Sequence, residues 1–319
     1  MREFKGKIAV VTGGGTGMGR ELTRQLAAEG CHVATCDIIE ENLTETIELG
    51  RQGAASGTKV TGHLCDVADE AQVKAFRDVV AGEHKTDHIN LLFNNAGIGG
   101  GGSFINTTRE EWERTFGICW HGVYHFTRAF MPMLLASTEG HIVNTSSVDG
   151  LRGSLGGRIP HTAYSTAKFA VRGFSEALIH DFRFNAPHLK VSVVFPGAVG
   201  SDIAVNTTRI LGQKRPKDMS DEEIGRQRKA WEKQGYGNPK MSNDEIRDAL
   251  EDNIVNFAKQ GLTPAQGAEI ILQGVKDESW RIFVGKDAEA LDRAVRKYPL
   301  EAYDLDFGKR VAEQWHTDS

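Results

Sequence analysis

Tyr164-Ser165-Thr166-Ala167-Lys168 sets a phenol and an ammonium four residues apart, a spacing that puts both on one face of a helix. A cation beside a phenol favours the phenolate and lowers a pKa that is about 10 unperturbed. That makes a general base for an alcohol, or a general acid for a ketone, near neutral pH. Standing alone, the same spacing also suits an ordinary surface pair. Two other features concern phosphate and ribose. In Val11-Thr12-Gly13-Gly14-Gly15-Thr16-Gly17-Met18-Gly19, glycines follow an apolar run and open a helix-like segment, so backbone N–H groups can approach a pyrophosphate at a positive helix end. The Gly13-x-x-x-Gly17-x-Gly19 spacing differs from the common G-x-G-x-x-G pattern, and a turn alone would also use such glycines. Asp37 closes the second apolar run, at the ~20-residue offset of the acid that receives ribose hydroxyls. A carboxylate there repels a 2′-phosphate, which predicts NAD as cofactor over NADP; as a cap for the next helix, it would be purely structural.

These residues need a scaffold of alternating elements. Short apolar, β-branched runs occur at 8–11, 33–36, 60–64, 89–93, 141–145, 191–195 and 281–284, as in strands buried on both faces of a parallel sheet. Between them lie helix-length stretches at 19–29, 40–51, 69–81, 109–135 and 163–184. Thr108 before Arg109-Glu110-Glu111 reads as a capping box, and Thr263-Pro264 as a second helix start. The pattern predicts α/β architecture, a doubly wound, Rossmann-like parallel sheet of about seven strands with helices on both faces. One domain over 1–319 is expected, with a polar 200–245 excursion acting as a substrate lid (Met219, Trp231, Tyr236 and Met241 scattered through it) and a helical extension at 286–319.

The composition is that of an ordinary soluble globular chain: 319 residues, 39% hydrophobic and 25% charged. A net charge of −5 without a basic stripe argues against a nucleic-acid partner. No apolar run approaches the ~18–20 residues of a membrane helix. The start of the chain is too short before its first strand for a signal peptide. The four cysteines form no CxxC or regular framework, so a reducing, cytoplasmic location is expected. Glycine is in excess, 36 residues or about 11%, against an average near 7%.

Taken in order, the motifs resemble those of the short-chain dehydrogenase/reductase family, over roughly 5–200 and again around 263–290. Thr12-Gly13-x-x-x-Gly17-x-Gly19 matches its cofactor turn, Cys65-Asp66-Val67 its adenine segment and Asn94-Asn95-Ala96-Gly97 its NNAG motif. Asn144-Thr145-Ser146-Ser147 with Tyr164 and Lys168 matches its catalytic serine, tyrosine and lysine, and Pro196-Gly197-Ala198-Val199 its PG motif facing the nicotinamide. The resemblance implies Ser147, Tyr164 and Lys168 as catalytic residues. Tyr164 would act as general acid/base, Ser147 would orient the substrate oxygen, and Lys168 would lower the tyrosine pKa and hold the nicotinamide ribose. It implies cofactor contacts at Gly13, Thr16, Gly17, Met18, Asp37, Asp66, Val67, Asn95, Tyr164, Lys168, Val199 and Ser201. It further implies an NAD-dependent interconversion of a secondary alcohol and a ketone, in a homo-oligomer (tetramer or dimer) with a small-molecule substrate and neither nucleic acid nor membrane as partner. An NADP-dependent carbonyl or oxoacyl reductase and a catalytically silent NAD-binding module are the alternatives.

Three positions depart from the family pattern. Cys119 stands where many members carry an Asn whose backbone carbonyl holds a water. Ser147 and Tyr164 are 17 apart, the excess lying in a loop over 151–161. Asn90 replaces an Asp at strand 4. His121 and His125, four apart, could start a metal site, but no nearby ligand completes it and no metal is expected. Asp149, two residues past Ser147, is expected to face the substrate cavity.

Overall fold

The computed structural model describes residues 1–154, 160–234, 240–257 and 259–315. Of the 151–161 loop, residues 155–159 lie outside the described residues, and so does Tyr236. The chain forms β1 (Ile8–Thr12), α1 (Gly17–Ala28), β2 (His32–Asp37), α2 (Glu40–Gly53), β3 (Val60–Leu64), α3 (Glu70–His84), β4 (Leu91–Asn94), α4 (Arg109–Phe116) and α5 (Gly122–Leu135). It continues through β5 (Gly140–Thr145), α6 (Thr162–Asn185), β6 (Leu189–Pro196), α7 (Ile203–Ile210), α8 (Asp221–Gln234), α9 (Asn243–Phe257), α10 (Pro264–Lys276), β7 (Arg281–Val284), α11 (Lys286–Lys297) and α12 (Gly308–Trp315).

All seven strands are parallel and lie in one sheet, ordered β3-β2-β1-β4-β5-β6-β7. The strands are apolar throughout because both faces are covered: every residue of β1, β4 and β5 is buried. One face packs Val10, Ala34 and Leu92 against Phe76, Phe126 and Phe130 from α3 and α5. The other packs Ala9, Val11, Val33 and Leu91 against Leu22 and Leu26 of α1 and Ile271 and Leu272 of α10. Asn90 stitches the lower ends of three strands, accepting from Ile8 N–H (3.1 Å) and donating to the Glu139 carbonyl (3.0 Å).

The expected helix 109–135 is broken. Residues Gly117–His121 make one wide π turn between α4 and α5, a shape that 3.6-residue periodicity does not reveal. Strand 4 begins at Leu91, two residues later than its apolar run. The Thr108 capping box forms by half: Thr108 Oγ1 accepts from Glu111 N–H (3.2 Å), but the Glu111 carboxylate accepts from Gly101 N–H (3.3 Å) instead of returning to the cap. Thr263 and Gln266 form the complete box at α10. Within 200–245, α7, α8 and the start of α9 account for most of the polar segment. The 286–315 part packs on itself through a small cluster of Ala294, Ala302 and Phe307, and the Arg281–Asp292 ion pair (2.6 Å) ties it to β7. Among the described residues no helix is long and apolar enough to cross a membrane.

Candidate active site

Strand order reverses between β1 and β4, so the connections leave β1 and β4 in opposite directions and open a crevice at their carboxyl ends. The glycine turn lies there. Gly13 and Gly17 have φ of 65° and 56°, a region that glycine adopts without strain. A Cβ at Gly14 would sit 1.7 Å from Thr35 Oγ1, and one at Gly19 would sit 2.0 Å from the Gly13 carbonyl. The turn is therefore a cradle with no room for side chains. Thr16 caps α1 without a side-chain bond to the helix, leaving first-turn amides for a ligand.

The crevice holds about 820 Å³ of space, open to solvent. It is lined by Gly13, Thr16, Gly17, Met18, Asp37, Asp66, Val67, Asn95 and Ser201, nine of the residues expected at a cofactor. Asp37 Oδ2 accepts from Gly15 N–H (2.9 Å) and Oδ1 from Ile39 N–H (3.0 Å), so the carboxylate also pins the turn. Asn95 Nδ2 donates to the Thr12 carbonyl (3.2 Å). Three expected residues lie off this lining: Val199, which pairs with Leu262 in an isolated bridge, and Tyr164 and Lys168. The lining also holds residues that were not foreseen. Arg114 pairs with Asp66 (2.7 Å), and Ile203, Asn206 and Ile210 come from α7. Asn206 Nδ2 donates to Thr16 Oγ1 (3.0 Å), and Arg209 pairs with Glu41, tying α7 across the opening. A helix directly after the PG segment was their only signal.

The second group stands at the ends of β5 and α6. Ser147 follows β5, and its Oγ accepts from Asp149 N–H (3.1 Å) at the start of a 3-10 turn, Val148–Gly150. Tyr164 and Lys168 lie in the first turns of α6, which starts at Thr162, and both face the sheet. Of the groups around Tyr164, Ser147 is the one that draws the phenol pKa down. Lys168 Nζ donates to the Thr145 carbonyl (2.8 Å) and lies 5.3 Å from the Tyr164 ring centroid. Burial is the largest influence on both groups. It pushes the phenol well up, with Cys119 and Asp149 adding to the rise, and it brings the lysine down against the pull of Cys119 and Asp149. Burial thus sets the phenol pKa here, and Lys168 is not among the groups that lower it.

Cys119 lies on the π turn, fully buried, with its Sγ donating to the Ile98 carbonyl (3.3 Å). Burial raises its thiol pKa. Behind the site, Asn94 Nδ2 donates to Asn144 Oδ1 (2.7 Å) and Thr127 Oγ1 (3.0 Å), and Asn144 Nδ2 to Ser175 Oγ (2.9 Å). This network ties β4, β5, α5 and α6 together. His121 and His125 stack at 5.9 Å, and among the described residues no group of three or more His, Cys, Asp or Glu gathers to hold a metal.

A seven-stranded parallel sheet with a glycine cradle at its switch point and a serine, tyrosine and lysine at neighbouring strand ends defines the dinucleotide-binding oxidoreductases. The family profile of short chain dehydrogenases matches residues 7–210, and the chain belongs to that family. SadH of Mycobacterium tuberculosis, named as an oxidoreductase, is 32% identical over 299 residues, 93% of this chain and 92% of its own length. Levodione reductase of Leifsonia aquatica is 30% identical over 223 residues, 69% of this chain and 80% of its own. Among solved structures, a short chain dehydrogenase/reductase from Burkholderia phymatum in complex with NAD superposes with a TM-score of 0.74 at 28% identity, covering 94% of this chain and 96% of that one.

Proposed function

We propose that the protein interconverts a secondary alcohol and a ketone with NAD, using Tyr164 as general acid/base. The observation that carries this reading is Tyr164 half-buried, with Ser147 drawing its phenol pKa down and Lys168 at 5.3 Å from its ring. The cradle that a Cβ would fill, the free helix end and Asp37 fit a dinucleotide. NAD bound there would supply a hydride acceptor that carries positive charge in its oxidised form. Tyr164 Oη takes the carbinol proton in the oxidative direction and returns it in the reductive one. Ser147 Oγ orients the substrate oxygen and stabilises charge developing on it. Lys168 anchors the ribose side and keeps a cation beside the phenol. The name levodione reductase assigns that relative a reduction, and only the reaction class is carried over to this chain.

Asp37 favours NAD over NADP. The one basic side chain among the described lining residues, Arg114, is already paired with Asp66, so a 2′-phosphate would meet a carboxylate with no free cation. We read 1–319 as one unit in which 200–245 forms a lid, since α7 lines the crevice and ties across it, and a cytoplasmic location fits the chain.

Replacing Tyr164 by Phe tests the proposal. Formation of reduced cofactor from NAD with a panel of secondary alcohols should vanish while NAD affinity stays nearly unchanged. A variant that keeps a substantial rate removes Tyr164 from the acid/base role. NAD binding without turnover in the unaltered protein would instead identify a silent module, and equal kinetics with NAD and NADP would overturn the assignment of Asp37.

A further inference from the structure

Next to Ser147 and Tyr164 lies a carboxyl group with no hydrogen-bond partner among the described residues. Asp149 is fully buried, and neither Oδ atom makes a hydrogen bond. The nearby donor His161 Nδ1 stands 3.7 Å from Oδ2 and is itself buried and unbonded. The His161 ring meets the Tyr164 ring edge-on, with centroids 6.1 Å apart and an 85° interplanar angle. Among the described residues two cations act on Asp149, Arg152 and Lys168, and both are committed elsewhere. Arg152 bonds the Ala302 carbonyl and lies over the Phe307 ring at 5.1 Å, and Lys168 bonds the Thr145 carbonyl.

An unbonded carboxyl in the interior works against folding, and an apolar residue would fill the same space without that penalty. Its presence beside the phenol is accounted for by a ligand that completes it. An acceptor (Asp149) and, in its Nδ1–H tautomer, a donor (His161) 3.7 Å apart match the two needs of a single hydroxyl group, which gives one hydrogen bond and receives another. The surplus of positive charge from Arg152 and Lys168 disfavours an ammonium there.

We propose that Asp149 and His161 form a subsite for a second hydroxyl of the substrate, close to the reacting carbinol, so that the protein acts on diols and hydroxyketones in preference to simple alcohols. Burial pushes the Asp149 carboxyl up to about 7, consistent with a group that awaits a partner. The inference rests on the carbinol reading of Tyr164, and the two can fail separately.

The test uses the full chain with NAD and two matched pairs of probes: cyclohexanol with trans-1,2-cyclohexanediol, and 2-butanol with 2,3-butanediol. The kcat/KM of the diol should exceed that of its mono-alcohol at least tenfold in both pairs. Asp149→Ala and His161→Phe should each lower that ratio at least tenfold, mainly through KM. Asp149→Asn keeps a carbonyl acceptor and should retain more of the ratio than Asp149→Ala; it also serves if the alanine variant fails to fold. A diol ratio near one in the unaltered protein overturns the subsite, as does a ratio that survives Asp149→Ala. If the mono-alcohols turn over, Tyr164→Phe abolishes that turnover and the ratio is flat, the subsite alone is lost. If none of the four probes is oxidised, both readings fall.

Discussion

At Asp149 the environment changes what a carboxyl group does to stability. Its pKa stands at about 7 against an ordinary 3.8, because burial disfavours the charged form and Arg152 and Lys168 offset only part of that. The folded chain thus keeps, between about pH 4 and 7, a proton that the unfolded chain releases. The group supports folding fully below pH 4, and that support is lost as pH rises through 7. Asp149→Asn should therefore raise the Tm relative to the unaltered protein more at pH 8 than at pH 5, which a pair of thermal unfolding series will show. An equal difference at both values would mean the carboxylate is solvated. Cys119 offers the opposite case, a buried thiol that burial keeps protonated and inert. Cys119→Ala and Cys119→Asn should both keep turnover within about tenfold, a barrier change near 1.4 kcal/mol; a thousandfold loss in the alanine variant with an intact fold would put the thiol in the mechanism. Single residues were legible where their chemistry is local, as with Tyr164, Lys168, Ser147 and Asp37. Arg114 was not, because its place at the crevice depends on how α4 meets the π turn, which no short-range pattern encodes.

Helices and strands carry the next set of consequences. A Cβ at Gly19 would meet the Gly13 carbonyl at 2.0 Å and Asn95 Nδ2 at 2.7 Å, both fixed, so α1 would have to leave its seat. Gly19→Ala should cost roughly 2–4 kcal/mol and weaken NAD binding at least tenfold. Gly53→Ala, with nothing within 4 Å of the added carbon, should be neutral or slightly stabilising in the same urea titration. On β5, His141 is buried with Nε2 at 2.7 Å from Ser192 Oγ of β6, and its pKa falls to about 3 because burial disfavours the cation. This group supports folding above the unfolded value of about 6.5, and the support is lost as pH falls towards 3. Unfolding free energy should drop by about 1.4 kcal/mol per pH unit from this group below 6.5, and the slope should be shallower in His141→Gln. The seven strands were readable because two-sided burial leaves uninterrupted apolar runs. The π turn was not, since Gly117–His121 stays helical in periodicity while its turn gains one residue.

For the molecule as a whole, we read α5 and α6 as the face that meets a second copy. Tyr124 and Phe169 are exposed at 45% and 39%, and Trp120 packs edge-on against Phe174 at 5.4 Å on the same surface. Phe130, on the same helix α5, is fully buried and belongs to the core. Light scattering at micromolar concentration should report a dimer or tetramer, and Tyr124→Lys with Phe169→Lys should shift it to smaller species; a monomer in the unaltered protein would remove the claim. The strand order also has a consequence in time. β1 sits inside the sheet, β2 and β3 extend it on one side, and β4 to β7 extend it on the other, each strand adding to an edge already present. A chain emerging from the ribosome can therefore build the sheet outward as it is made. The exception is the last step, because four helices, α7 to α10, are synthesised between β6 and β7. Until they have emerged, β6 with Val191, Val193 and Val194 is a bare apolar edge, the kind that pairs with other chains. Translation pauses after residue 196 would lengthen that exposure, and slow synthesis there should lower the soluble yield.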